Sequence, residues 1–235
     1  MLLQGYPVLA YSIAAVRQCP EIDRVIVTTD SQAIADIATS FGAEAPFLRP
    51  AELSQDRSPD IDYVRHAVQW LKDHESYHVD LVIQTRPTTP LRDPKLISAA
   101  MVELLRRPEA TSLRSVHALS EPPQKMMGIE NGYLVGLFPH DTRPEYFNLP
   151  RQAFAPAYHP NGYIDIVKTD CLAQSDSLYG PRIVGFVTPR SIEIDEPEDV
   201  AALERRLEQA GDILYDYLRR EHPKTPALKS VSKKR

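Results

Sequence analysis

The sequence predicts an α/β protein built on a mainly parallel sheet with helices on both faces. Three observations lead there. Segments of helical period alternate with short strand-like runs of six to eight residues, the rhythm of a sheet whose strands are joined by crossover helices. Proline and glycine mark several boundaries, with Pro7 and Pro94 opening helix patterns and Gly42 closing one. The chain has 235 residues, 43% hydrophobic and 25% charged, which suffices for the core of one ordinary domain.

The elements follow in order. Residues 7–18 (PVLAYSIAAVRQ) read as an amphipathic helix with Pro7 in its first turn. Arg24–Thr29 (RVIVTT) is a buried-strand pattern, and 31–41 a helix stopped by Gly42 in a left-handed cap. Residues 61–73 fit a third helix and Val79–Gln84 a second strand. Residues 94–106 form a helix opened by Pro94, and Thr111–Ala118 a strand. The stretch 125–138 carries Asn131-Gly132, a hairpin turn signal. Gly162–Lys168 and Arg182–Val187 read as late strands and 197–220 as one long final helix. The section at about 120–160, rich in proline and aromatic residues, breaks the rhythm and is expected to project as an arm. The chain opens on a helix pattern, where such a sheet ordinarily opens on a strand.

Composition excludes several functions. The apolar runs are too short for a membrane span. Met1 opens no basic-then-apolar signal segment, so the expected location is the cytoplasm. Net charge is -5, and residues 222–235 contain five Lys/Arg and no acid, so the body is more acidic still. No nucleic-acid surface is expected on it, and the basic tail is expected to be solvated and disordered. Cys19 and Cys171 make neither a disulfide framework nor a CxxC site and are expected to be buried thiols.

Two motifs fail on context. No GxGxxG occurs, and Phe186 stands where the P-loop spacing of Gly180 and Gly185 needs lysine. His74-Glu75-Ser76-Tyr77-His78 spells HExxH, but it ends a helix and runs into a strand, so the imidazoles are not expected to share a helical face.

Three segments carry the expected chemistry. Thr28-Thr29-Asp30 ends the first strand pattern, where open α/β sheets bind ligands; Asp30 either faces that site or caps the next helix. Gln84–Arg92 (QTRPTTPLR) likewise follows a strand, and its Arg86 and Arg92 suit a carboxylate or phosphate. In Ser191–Asp199 (SIEIDEPED), an extended backbone sends Ile192 and Ile194 one way and Glu193 and Asp195 the other. Two such carboxylates can hold one Mg²⁺ through oxygen, with water and phosphate completing the octahedron. Glu196, Glu198 and Asp199 are accounted for as an acidic helix start.

Together these segments resemble the acylneuraminate cytidylyltransferases. Pro7–Ser12 (PVLAYS) is similar to the family's PLIAYS, Val25–Asp30 (VIVTTD) to VVVSTD, and Gly42–Leu53 (GAEAPFLRPAEL) to GAEVPFLRPAEL. Pro87–Arg92 (PTTPLR) resembles PTSPLR, Pro150–Gln152 with Asn161-Gly162 resembles PRQ…NG, and Ser191–Asp195 (SIEID) resembles SIDID. The resemblance implies a Rossmann-like nucleotidyltransferase domain over 1–221 whose arm crosses to a partner subunit in a homodimer. It implies transfer of CMP from CTP to a sialic-acid-like nonulosonic acid, with Mg²⁺ as cofactor. On this resemblance Glu193 and Asp195 hold the metal, and Arg49 and Asp30 serve the nucleotide. Arg86, Lys125, Arg151 and Asn161 face the sugar acid, with Asp195 and Arg86 closest to the chemistry.

Departures from the family pattern matter equally. Arg86 replaces a glutamine that contacts the sugar acid, so legionaminic, pseudaminic or another acid becomes the expected substrate choice. Asp60 stands where serine is common near the phosphates, and Glu193 replaces aspartate. The family opens with a strand and a basic loop, IPARGGSKGIPxKN, and the present sequence starts just after it. Without that piece the chain is expected to fold poorly and bind CTP weakly. The competing expectations are a non-catalytic dimeric paralogue, a nucleotidyltransferase using another nucleotide or sugar, and, more remotely, a zinc hydrolase.

Overall fold

A computed structural model describes residues 1–174 and 176–223, leaving aside the side chains of 173 and 174. The chain opens with a minimal hairpin, β1 (Leu2–Leu3) and β2 (Tyr6–Pro7), turning at Gln4 and Gly5, both of positive φ. Helix α1 (Val8–Arg17) follows with Pro7 as its N-cap, and α2 (Gln32–Ser40) ends at Phe41 and the left-handed Gly42. Next come α3 (Asp60–Glu75), β3 (Leu81–Gln84), α4 (Pro94–Leu105) and β4 (Ser112–Ala118). The arm contributes β5 (Met127–Glu130) and β6 (Tyr133–Gly136). Then β7 (Tyr158–Lys168), α5 (Thr169–Gln174), β8 (Ile183–Val187), α6 (Pro197–Ala210) and α7 (Ile213–Glu221) complete the described chain.

The main sheet has the order β3-β7-β4-β8. Strands β3, β4 and β8 run the same way, as expected, and β7 lies antiparallel between β3 and β4. The reason is the connection: β4 passes into β7 through the arm, which contains no crossover helix, and a parallel pairing needs one. Helices cover both faces. Alternation along β7 sends Ile164 and Ile166 into the larger core with Leu3, Tyr11, Ile97, Leu104, Leu203 and Leu214. Val167 faces the other way, onto Ile61 and Val64 of α3 and Leu172 of α5.

Two expectations change. Arg24–Thr29 is extended but forms one parallel bridge, Ile26 to Glu44, through Val27 N–Glu44 O (2.8 Å) and Glu44 N–Val25 O (2.7 Å). Beyond that bridge, Arg49 N donates to Thr29 O (2.8 Å), but no continuous ladder develops among the described residues. The single helix expected at 197–220 is two helices. Gly211 (φ 65°, ψ 180°) adopts a backbone that side-chain-bearing residues avoid, and Asp212 caps α7 by accepting from Leu214 N and Tyr215 N.

The arm forms at the predicted turn. Asn131 (φ 50°) and Gly132 (φ 85°) make the two-residue loop between β5 and β6. Ile129, Tyr133 and Leu134 on it are at least two-thirds exposed. The basic tail expected at 222–235 lies, from residue 224 onward, outside the described residues.

Candidate active site

Of the residues singled out in the sequence, Arg86, Gly162 and Glu193 gather with Thr88 and Thr89 beyond the ends of β3 and β8. Thr29 is buried, and its carbonyl accepts from Arg49 N (2.8 Å), bringing Arg49 beside Asp30. Asp30 is exposed and does not cap α2; Ser31 occupies that position. The Arg49 guanidinium lies over the Tyr63 ring (5.3 Å), and its Nε is buried with no partner among the described residues.

The loop after β3 separates its two arginines. Arg92 is fully buried and meets no carboxylate, so it does not face a ligand as the sequence suggested. Its Nε donates to Tyr163 O, Nη1 to Ser12 Oγ (3.0 Å), and Nη2 to Arg86 O (2.6 Å) and Gly162 O (3.1 Å). Burial pulls its pKa down to about 9, still above neutrality, so the group stays charged. The local backbone explains the arrangement. The β4–β7 register slips between Arg114 and Val116, so Gly162 and Tyr163 have no ladder partners, and Arg92 satisfies their carbonyls. Ser115 Oγ completes the repair by accepting from Ile164 N (2.8 Å).

The same irregularity shapes the site. Gly162 takes a left-handed backbone (φ 61°) that side-chain-bearing residues rarely adopt, and a Cβ there would make ordinary contacts with Thr89 Oγ1 (3.4 Å), Glu193 Oε1 (3.7 Å) and Arg86 Cδ (3.9 Å). Gly162, Thr89, Glu193 and Arg86 are therefore neighbours. Thr89 is buried and its hydroxyl is unpartnered among the described residues, while Thr88 Oγ1 donates to Glu193 Oε1 (3.4 Å). Ile194 N donates to Thr88 O (2.7 Å), pinning the acidic segment to the loop. The expected alternation holds: Ile194 is buried and Glu193 and Asp195 are exposed. Glu196 and Asp199 form a capping box at the start of α6.

Among the described residues no group of three or more His, Cys, Asp or Glu side chains could hold a metal. Glu193 and Asp195 supply oxygen donors only and no third protein ligand. That set fits Mg²⁺, which keeps most of its waters and takes one or two carboxylates plus phosphate. It does not fit zinc, and the HExxH is split: His74 lies on α3, stacked on Trp70 (4.5 Å, 7°), while Ser76 ends the helix in the left-handed region before His78.

Arg86 is not free to present bare charge. Its Nη2 donates to Asp60 Oδ2 (2.5 Å) and its Nη1 to Asp165 Oδ2 (3.1 Å). Desolvation works against the guanidinium, but Asp60, Tyr179 and Asp165 outweigh it and leave its pKa raised. The charge expected to be unfavourable at Asp60 is thus matched. Lys125 and Arg151 sit on the arm, Lys125 Nζ donating to Leu149 O (3.4 Å), and no hydrogen bond or ion pair joins them to Arg86 or Glu193 among the described residues. Asn161 is buried in β7 with both ends of its amide engaged, Nδ2 donating to Thr188 Oγ1 (2.7 Å) and Oδ1 accepting from Tyr163 N (3.3 Å). Sequence reasoning missed Asp165, Arg114 and Tyr179. The signal was present: an aspartate inside the apolar alternation YIDIVK must be paired if buried.

The cytidylyltransferase family model matches residues 1–130. The chain belongs to this family. A CMP-N,N'-diacetyllegionaminic acid synthase of Legionella pneumophila is 30% identical over 91% of the chain and 90% of its own length. An N-acylneuraminate cytidylyltransferase of Escherichia coli O18:K1:H7 is 27% identical over 99% of the chain, which spans 54% of that longer protein. Among solved structures, a CMP:2-keto-3-deoxy-manno-octonic acid synthetase in complex with CTP superposes with a TM-score of 0.63 at 16% identity, over 89% of this chain and 90% of that one. A 4-diphosphocytidyl-2C-methyl-D-erythritol synthase from Anaerococcus prevotii gives 0.60 at 12%, over 89% and 92%. At such identities the superpositions establish the cytidylyltransferase fold.

Proposed function

We propose that this cytidylyltransferase transfers CMP from CTP to a nonulosonic acid, a nine-carbon 2-keto sugar acid. The anomeric hydroxyl oxygen attacks the α-phosphorus and the bond to the β-phosphate oxygen breaks. Pyrophosphate leaves and the hydroxyl proton passes to solvent. The observation that carries this reading is the convergence of Arg86, Thr89, Gly162 and Glu193 at the strand ends, in a chain similar over nine-tenths of its length to a legionaminic acid CMP-synthase.

Roles follow from chemistry. Glu193 and Asp195 would hold Mg²⁺, which neutralises charge on the triphosphate and its leaving group. Arg49 and Asp30 face the nucleotide, the half-buried Arg49 keeping an unspent, buried Nε donor. Lys125 and Arg151 supply fixed cationic donors for the sugar carboxylate, a role that suits them better than the ion-paired Arg86. Thr88 and Thr89 offer hydroxyls beside Glu193, and Asn161 shapes β7 behind them. Such a reaction depends on position and charge more than on covalent help from the protein. The domain spans 1–221, and the apolar tip of the hairpin arm (Ile129, Tyr133, Leu134) packs on a second copy in a homodimer. No described helix is long and apolar enough to cross a membrane, and we place the enzyme in the cytoplasm beside its CTP.

The test is pyrophosphate release from each of the four nucleoside triphosphates against a panel of 2-keto sugar acids with Mg²⁺. Release that requires CTP and a nonulosonic acid together is expected. Release with UTP or GTP but not CTP overturns the reading.

A further inference from the structure

On the α3 face of the sheet, an open cavity of about 420 Å³ lies between the start of α3, β4 and the segment after α5. Its wall is a chain of alternating charges. Asp60 Oδ2 accepts from Arg86 Nη2 (2.5 Å) and Gln84 Nε2 (3.1 Å). The buried Asp165 accepts from Arg86 Nη1 (3.1 Å), Arg114 Nε (3.3 Å) and Tyr179 OH (2.8 Å). Arg114 also stacks over the Tyr179 ring at 4.2 Å. Asp176 also lines the cavity and pairs with Arg65 (3.7 Å), so three guanidiniums and three carboxylates cancel and net charge selects neither an anion nor a cation.

What remains unspent defines the ligand. Among the described residues, Asp60 Oδ1 accepts no hydrogen bond and both Nη atoms of Arg114 donate none, although Asp60 and Arg114 both line the cavity. Ile61 and Leu178 add an apolar wall. The matching group is neutral, donates once, accepts once and ends in a small apolar cap. An acylamino substituent meets every condition: N–H toward the carboxylate, C=O toward the guanidinium, alkyl toward Ile61 and Leu178. A hydroxyl leaves the apolar wall unfilled, and an ammonium leaves Arg114 unanswered.

We propose that Asp60 and Arg114 are specificity-determining residues that read an acylamino substituent of the sugar acid, with Asp165 as the positioning residue that fixes Arg86 and Arg114 along the wall. The proposal rests on the reading of a sugar acid as substrate. Arg86 provides the link, since its stem lies beside Gly162 while its head closes the cavity. Holding both arginines on one buried carboxylate costs no side-chain ordering when the ligand arrives.

The experiment uses two sugar acids differing only in an acylamino group against a hydroxyl, with wild type, Asp60→Asn and Arg114→Lys. Both variants keep side-chain volume, and thermal melts confirm that they fold. Saturation transfer to the acyl methyl protons reports contact, and kcat/KM ratios report discrimination. Wild type is expected to saturate the methyl strongly and to prefer the acylamino acid by roughly 10–100-fold. Each variant should erode that ratio by about tenfold, the worth of a charge-assisted hydrogen bond. An unchanged ratio in both variants, or a methyl that receives no saturation while the ring protons do, overturns the proposal. Methyl saturation that both variants abolish, with no pyrophosphate released from any nucleotide, supports this pocket and removes the transfer reading instead.

Discussion

Replacing Arg92 with methionine removes the guanidinium while leaving most of the volume of its stem. Four hydrogen bonds disappear, and their fates differ. Arg86 O retains a bond from Thr89 N (3.1 Å), and Ser12 Oγ can still donate to Arg86 O (3.4 Å). The carbonyls of Gly162 and Tyr163 have no such reserve, because the slipped register gives them no ladder partner and Tyr163 and Arg92 are buried, with Gly162 half-buried beside them. Two stranded acceptors at about 1–3 kcal/mol each give a loss of about 2–6 kcal/mol. Relief from desolvating a guanidinium with no counter-carboxylate offsets part of it. For a domain of this size the loss lowers Tm by roughly 6–20 °C. Differential scanning calorimetry on wild type, Arg92→Met and Arg92→Lys measures it. The lysine variant should fall between, since one ammonium reaches fewer of the four acceptors. An Arg92→Met protein melting within about 3 °C of wild type would show that the carbonyls find other donors and that Arg92 does not hold the β7 irregularity in place.

Four further outcomes follow. Asp195→Asn should lower Mg²⁺-dependent pyrophosphate release by about 10³-fold or more with an unchanged melting temperature, because its side chain is exposed; activity within a few-fold of wild type removes Asp195 from the metal site. Ile129→Ser with Leu134→Ser should convert the proposed homodimer to a monomer in analytical ultracentrifugation, and an unaltered sedimentation coefficient removes the arm tip as its contact. Gly211→Ala meets nothing within 4 Å, so its cost is backbone strain alone, about 1–3 kcal/mol in urea titrations. Hydrogen bonding to Arg24 holds the Glu44 carboxyl below its ordinary value, so the pair stabilises the fold above about pH 4.5 and stops doing so as acid protonates Glu44. Arg24→Met, which removes the ion pairs to both Glu44 and Glu75, should therefore cost roughly 0.5–1 kcal/mol at pH 7, both pairs being solvent-screened, and the gap to wild type should close toward pH 3.

The fold was legible wherever local chemistry decides it. Asn131-Gly132 forces a two-residue turn through positive φ, Pro94 opens α4, and Gly42 stops α2, each through a constraint carried by the residue itself. The long helix expected at 197–220 failed for the same reason in reverse. Helical periodicity runs straight across Gly211-Asp212, but glycine tolerates an extended left-handed turn and aspartate prefers to cap. What periodicity cannot reveal is strand direction. The pattern of β7 is the same in either orientation, and only the length and content of the connection through the arm makes it antiparallel.

The site divides along a similar line. Glu193 and Asp195 were legible because a period of two, with Ile194 buried between them, is a local rule. Arg86 and Arg92 were equally conspicuous in one loop, yet they do opposite things: Arg92 mends a backbone defect seventy residues away in β7, and Arg86 is shared by carboxylates from α3 and β7. A guanidinium advertises a need for acceptors but not which acceptors will be near it, and these come from segments that meet only in the folded state. The consequence reaches specificity. A lone arginine in that loop would argue for an anionic substrate group, whereas an arginine already balanced by Asp60 and Asp165 leaves hydrogen-bond geometry, and not charge, to choose what the cavity accepts.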